Sequence, residues 1–413
     1  MTGKLRQGKN KKGFKIGPGA LVTAAFIGPG TVTTCSLAGA QFGFALLWGM
    51  TFSVIATIIL QEMSARLGII TRNGLGEALR AQFSNPLTKV ITAVLVLSAI
   101  TVGNAAFQTG NILGASIGLR SLFGPDTLST RFWVIATGVA AFLILFSGRY
   151  RLIERFLIGL VILMSLTFLT TAVIISPHIP SLLKGMFVPS IPEGSLLMLV
   201  GLIGTTVVPY NLFLHASAVR ERWKDPSDIP VARLDISFSV IIGGFISMAV
   251  IITSAVAYFG TDITVAGVSE MAAQLEPLMG RWAKYFFSTG LFAAGISSSI
   301  TAPLAAAYAT TGILGWKTDL RSWRFRGVWL FILLAGMTFS LLGFRPLEAI
   351  VFAQATNGIL LPVIAIYLLW VMNSRKIMGE NVNTKISNIA GLMVVLITLL
   401  LGLRIVLQAT GLI

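Results

Sequence analysis

Two short runs in this 413-residue chain set a proline and helix-weakening neighbours inside otherwise apolar sequence. AFIGPGTVTT carries Gly28, Pro29, Gly30 and Thr31, and GTTVVPYNLF carries Gly204, Val207, Val208, Pro209, Tyr210 and Asn211. A proline inside a helix removes a backbone hydrogen bond and clashes with the preceding turn, and adjacent glycines favour outright unwinding over a kink. Half-helices beginning near Thr31 and near Tyr210 would present N–H groups suited to a carboxylate or other anion. Those ending near Gly28 and near Val207 would present carbonyls suited to an ammonium group or Na⁺. Together they fit a zwitterion such as a small amino acid, or a neutral polar solute. The chain offers no nucleophile–base constellation, so an enzyme is not expected. One cysteine, Cys35, and two histidines, His178 and His215, exclude a disulfide framework and a Cys-based metal centre, and no cofactor is implied.

These runs must be positioned by membrane helices. With 55% hydrophobic residues, 11% charged residues and a mean hydropathy of +0.86, the chain is a polytopic membrane protein. Eleven apolar stretches are long enough to cross a bilayer core of about 30 Å: near 17–40, 44–65, 90–119, 132–147, 156–176, 195–219, 236–259, 285–312, 327–343, 349–372 and 386–411. The basic tail, residues 1–16, lacks a small-residue cleavage site and reads as retained rather than as a signal peptide. With that tail in the cytoplasm, 24 Lys and Arg fall on the cytoplasmic side and 6 outside, which places the C-terminus outside. The net charge of +16 is therefore mostly topology, not nucleic-acid binding, with attraction to anionic lipid as a secondary effect.

The two breaks fall in spans 1 and 6. Spans 1–5 (residues 17–176) and 6–10 (195–372) thus form two halves of five, inverted relative to one another because five is odd, joined by an outer linker at 177–194 and followed by a loop and span 11 (373–413). Matched broken helices in inverted halves are the pattern of a secondary transporter with its solute site between them. Two Pro kinks that merely bend their helices are the plainer alternative. None of the 15 acidic residues lies near the bilayer centre; Glu62 and Arg66 make a boundary ion pair, and Asp235 and Glu348 sit at span starts.

The runs also resemble the NRAMP family of proton-coupled divalent-metal transporters, through GPGALVTAAFIGPGTVTTCSLAGAQFGFALLW, LQEMSARLGIIT, VVPYNLFLHASAV, LFAAGISSSIT and FAQATNGILLP. The resemblance implies an all-α, LeuT-type 5+5 inverted repeat with broken helices 1 and 6 and eleven transmembrane helices. It also implies uptake of manganese, iron or related ions coupled to protons. Its site residues carry over poorly. Where the family has Asp-Pro-Gly-Asn, this chain has Gly28, Pro29, Gly30 and Thr31; where it has Met-Pro-His, this chain has Val208, Pro209 and Tyr210. Acidic third-helix positions of the family match Thr101, Gln108 and Asn111. His215, Asn211 and Gln354 remain, the last matching a glutamine near the family's metal site. Deleting one carboxylate about 4 Å from a divalent ion, at an effective dielectric near 20, forfeits roughly 8 kcal/mol, close to six decades of affinity.

The expected solute site therefore comprises Gly28, Gly30, Thr31, Val207, Val208, Tyr210, Asn211 and Gln354. Any metal ligands would come from Thr31, Asn211 and Gln354, beside backbone carbonyls. Asn104, Gln108 and Asn111, at helical spacing along span 3, either line a wet path or hydrogen-bond between helices. Ser298 in span 8 either packs helices closely or ligates Na⁺. His215, roughly 9 Å past Pro209 at 1.5 Å per residue, is either a proton shuttle or a structural histidine. Three functions stand: a transporter that has lost high-affinity transition-metal transport and moves a small polar solute; a low-affinity divalent-cation transporter; and a non-transporting sensor or scaffold. The expected partners are the lipid bilayer, a small solute or ion and a coupling H⁺ or Na⁺, with a monomer in a prokaryotic plasma membrane.

Overall fold

Every regular element among the described residues is a helix. The computed structural model describes residues 17–410, apart from 84, 125–127, 148–158, most of 160–176, 264, 266–267, 274–279 and 343–345. Eight helices in that set are long and apolar enough to cross a membrane: Leu47–Thr71 (span 2), Pro86–Phe123 (span 3), Leu196–Arg222 (span 6), Pro226–Tyr258 (span 7), Trp282–Leu314 (span 8), Trp323–Leu341 (span 9), Ala353–Met372 (span 10) and Lys385–Gln408 (span 11). Span 1 is present as two halves, Pro18–Phe26 (1a) and Pro29–Phe42 (1b), and span 4 is Thr130–Phe146. Ten of the eleven expected spans are thus seen. The fifth, at 156–176, lies almost wholly outside the described residues, as does the 1–16 tail. The short helices Leu75–Gln82 and Ile179–Phe187 were not in the hydropathy count; each is too short to cross.

Capping explains where several spans begin. Asn85 accepts from the Leu87 N–H at 2.9 Å with Pro86 in the first turn of span 3, so that helix starts four residues before its apolar run suggests. Ser129, Ser322 and Thr384 cap spans 4, 9 and 11 in the same manner. Spans 6 and 8 are nearly all buried, whereas spans 3 and 11 turn large apolar side chains outward, such as Val102 (62% exposed) and Leu403 (52%). An apolar outer face of this extent belongs in lipid.

The lower end of span 1a is held by a residue from the other half of the chain. Asp235, on span 7 and only 1% exposed, accepts from the Gly17 and Gly19 N–H groups, one on each carboxylate oxygen, both at 2.7 Å. It thereby serves as the N-cap that the helix lacks locally, because Gly17 has no side chain to supply one. A methyl added at Gly19 would sit 2.8 Å from the Asp235 carboxylate. Nearby, Glu62 pairs with Arg66 at 3.1 Å, as expected, and also with Arg233 at 2.8 Å. Asp235→Ala should cost about 3 kcal/mol, since hydrogen bonds to a charged group contribute about 1.5–3 kcal/mol each. Asp235→Asn, which keeps one acceptor, should lose less. Thermal denaturation in detergent checks this, and equal midpoints for all three proteins would show the clamp to be idle.

Candidate functional site at the two helix breaks

The two breaks share one geometry. Ile27 and Gly28 leave the helix in span 1, and Val207 and Val208 leave it in span 6, with ψ near 86° at Ile27 and 68° at Val207. In each case the proline is the first residue of the outgoing half-helix. The half-helices thus begin at Pro29 and Pro209, not near Thr31 and Tyr210. The incoming halves end at Phe26 and Thr206. Pro29 and Pro209 do not break a helix from within; they start one, where a missing N–H costs nothing.

The carbonyls and hydroxyls freed at the first break are largely used by the protein itself. The Phe26 carbonyl accepts from the Gly28 N–H at 2.9 Å and from Thr31 Oγ1 at 2.5 Å. Thr31 Oγ1 also lies 2.7 Å from Thr205 Oγ1 on the incoming half of span 6. Since the one Thr31 proton goes to Phe26, Thr205 donates in that pair. One hydroxyl thereby closes the break in span 1 and ties it to span 6, which leaves Thr31 committed as a structural bridge in this state.

The glycines are occupied from across the site. A Cβ on Gly28 would stand 2.5 Å from Ser298 Oγ and 3.4 Å from Asn111 Oδ1. A Cβ on Gly30 would overlap Gln354 Nε2. The space that a larger first-helix side chain would take is thus filled by a serine from span 8 and a glutamine from span 10. This gathers Gly28, Gly30, Thr31, Gln354, Ser298 and Asn111 into one place, including two residues, Ser298 and Asn111, that sequence reading had assigned to an ion path rather than to the solute site.

The remaining expected residues have mixed environments. Asn211 is fully buried, and among the described residues neither polar atom of its amide has a partner; Gln354 Oε1 likewise has none. Tyr210 is buried edge-on against Phe107, ring centroids 5.7 Å apart. Val207 and Val208 are buried apolar walls. On span 3, Gln108 donates to the Ser299 carbonyl at 3.0 Å, Asn111 to Gln108 at 3.4 Å and Asn104 to the Ile100 carbonyl at 2.8 Å. Gln108 thus makes the interhelical bond that was one of the two readings of this face. His215 is fully buried; the Gln61 backbone on span 2 lies near its ring at a geometry short of a full hydrogen bond. Cys35 is core. No cluster of three or more His, Cys, Asp or Glu that could hold a metal exists among the described residues. Thr205 and Asp235 were missed by sequence reasoning, because each acts on a partner 174 or more residues away.

The family profile described as Natural resistance-associated macrophage protein-like matches residues 19–408. This chain belongs to the Nramp family. The divalent metal cation transporter MntH of Yersinia pestis (strain Pestoides F) is 30% identical over 388 residues, 92% of each chain. Crystal structures of the manganese transporter of Eremococcus coleocola superpose with a TM-score of 0.77 at 22% identity, covering 95% of this chain and 85% of that one. MhsT in complex with L-phenylalanine superposes with a TM-score of 0.60 at 13% identity, covering 95% and 98%. The Nramp-family chain therefore has the LeuT-type fold and is a multi-pass membrane transporter, not an enzyme. Within it, Gly30→Ala should cost about 1–3 kcal/mol by overfilling the contact with Gln354, and adding Gln354→Ala should recover most of the loss. Thermal midpoints of the single and double variants check this; a double variant no more stable than Gly30→Ala would rule the contact out as the cause.

Proposed function

We propose that this Nramp-family transporter works by alternating access around a neutral central site, without high-affinity binding of a dehydrated transition metal, and that it moves a small polar solute held by hydrogen bonds. The observation that carries the reading is at Gly28. The position that faces the site has no side chain, and Ser298 and Asn111, both uncharged, stand where a carboxylate would project. Asn211 and Gln354 add amides whose free polar atoms suit a solute that both donates and accepts. Of the site residues expected from sequence, we keep Gly28, Gly30, Asn211, Gln354, Asn111 and Ser298 around the solute. Thr31, Val207, Val208 and Tyr210 frame it.

Proton coupling is absent in this proposal. Gln108 and Asn111 are amides, which do not exchange charge with a passing proton near neutral pH, and His215 has no acidic neighbour on span 3 to hand a proton to. The basic tail and loops face the cytoplasm, spans 1–5 and 6–10 are the inverted halves, and the chain acts as a monomer. A second reading is favoured by the relatives, which are divalent metal cation transporters over nearly their full length. In that reading a divalent ion passes with much of its water shell, held weakly by amide and hydroxyl oxygens.

Proteoliposomes loaded with a Mn²⁺-quenched dye, a Mg²⁺ indicator or a pH dye separate these cases. The proposal expects no saturable Mn²⁺ uptake at micromolar concentration and no acidification with any cation. Saturable micromolar Mn²⁺ entry would sink it, and Mg²⁺ or Mn²⁺ entry seen only at millimolar concentration would move the assignment to the second reading. Gly28→Asp combined with Ser298→Ala, which clears the close approach, should gain measurable Mn²⁺ binding by calorimetry. Gly28→Asp alone should gain less.

A further inference from the structure

A small polar cavity lies beside the break in span 6, next to the solute site but separate from the residues that fill Gly28 and Gly30. It measures about 10 Å³ and is walled by Ile100, Asn104, Pro209, Tyr210, Asn357 and Ile364, among others. That is about the space one water molecule needs.

Two amides define its chemistry, one from span 3 and one from span 10. Asn104 is 1% exposed; its Nδ2 donates to the Ile100 carbonyl, which fixes the amide and leaves Oδ1 as an acceptor with no partner among the described residues. Asn357 is 2% exposed, and its Nδ2 is a donor with no partner among the described residues. A methyl on Gly103 would stand 3.3 Å from Asn357 Oδ1, so the amide is seated against span 3 by the glycine next to Asn104. One buried donor and one buried acceptor facing one cavity reject a cation, which Asn357 Nδ2 repels, and an anion, which Asn104 Oδ1 repels. They accept a neutral molecule of one heavy atom that donates and accepts at once. Were the Asn357 amide turned over, the same molecule would donate twice, so the ligand does not depend on that assignment.

We propose that Asn104 and Asn357 form a binding site for one water molecule, which bridges spans 3 and 10 across the break in span 6. Neither amide is then orphaned, at a depth where a lost buried hydrogen bond is costly. The site is independent of what the transporter carries. Its consequence for transport is that Pro209 and Tyr210, at the hinge of span 6, rest on a ligand that exchanges with solvent rather than on a fixed side chain.

Three measurements on the full-length protein test this. Asn104→Leu and Asn357→Leu should each lower the thermal midpoint, while the double variant, which leaves no orphaned amide, should lose less than the sum of the two. Additive losses would mean the amides do not share a ligand. A density map fine enough to show ordered water should place one peak within hydrogen-bond distance of both amides; a direct Asn104–Asn357 bond, or no peak, would overturn the proposal even if the losses are non-additive. Hydroxyl-radical footprinting by X-ray radiolysis should label buried Tyr210 in the unmodified protein and lose that label in Asn357→Leu, whereas an unchanged label would count against the water.

Discussion

An interrupted helix in the middle of a membrane has polar backbone groups with no water to bind, and the structure depends on how that need is met. Here the answer is local and economical. The Phe26 carbonyl at the end of span 1a takes the Gly28 N–H and the Thr31 hydroxyl, and Thr31 in turn receives Thr205 from span 6. The two interruptions are therefore not independent defects facing a shared cavity. They are joined by a hydroxyl pair, so a change of shape at one is felt at the other. Backbone irregularity at membrane depth is tolerated where protein groups absorb it, and two threonines supply much of that absorption.

Membership in a family of divalent-metal transporters and a site without carboxylates are compatible because they rest on different parts of the chain. Identity of 30% over 92% of the length is carried by span lengths, close-packing glycines and the two prolines. The site is carried by a handful of side chains. In this chain those side chains are uncharged, and the gaps left by small residues are closed from spans 8 and 10. Ser298 and Gln354 stand against Gly28 and Gly30 closely enough that the scaffold and the new site chemistry fit one another.

The sequence made the spans, the two breaks and the charge asymmetry readable, because hydropathy, proline and glycine act over short windows. Ten spans appear where periodic apolar sequence placed them, and Glu62 and Arg66 pair as their four-residue spacing implied. The half-helix starts shifted by one or two residues because Pro29 and Pro209 behave as first-turn residues rather than as breakers. Less was readable about what the polar residues touch. Thr31 looked like a ligand and is a bridge, and Asn104, Gln108 and Asn111 looked like one face yet bond to three different partners. Asn357 drew no notice at all. Each of these depends on a neighbour contributed by a distant span, and no local pattern encodes it.

The Asp235 clamp has a consequence for how the chain is made. Span 1a emerges first from the ribosome, yet the carboxylate that caps it lies 216 residues beyond Gly19. At roughly 5–20 residues per second of synthesis, the Gly17–Gly19 end of that helix waits on the order of 10–40 seconds before its permanent partner exists. During that interval its N–H groups must be met by water or lipid headgroups at the membrane surface. Span 1a can thus settle into place only after span 7 has been inserted, so the first helix to be synthesised is among the last to be finished.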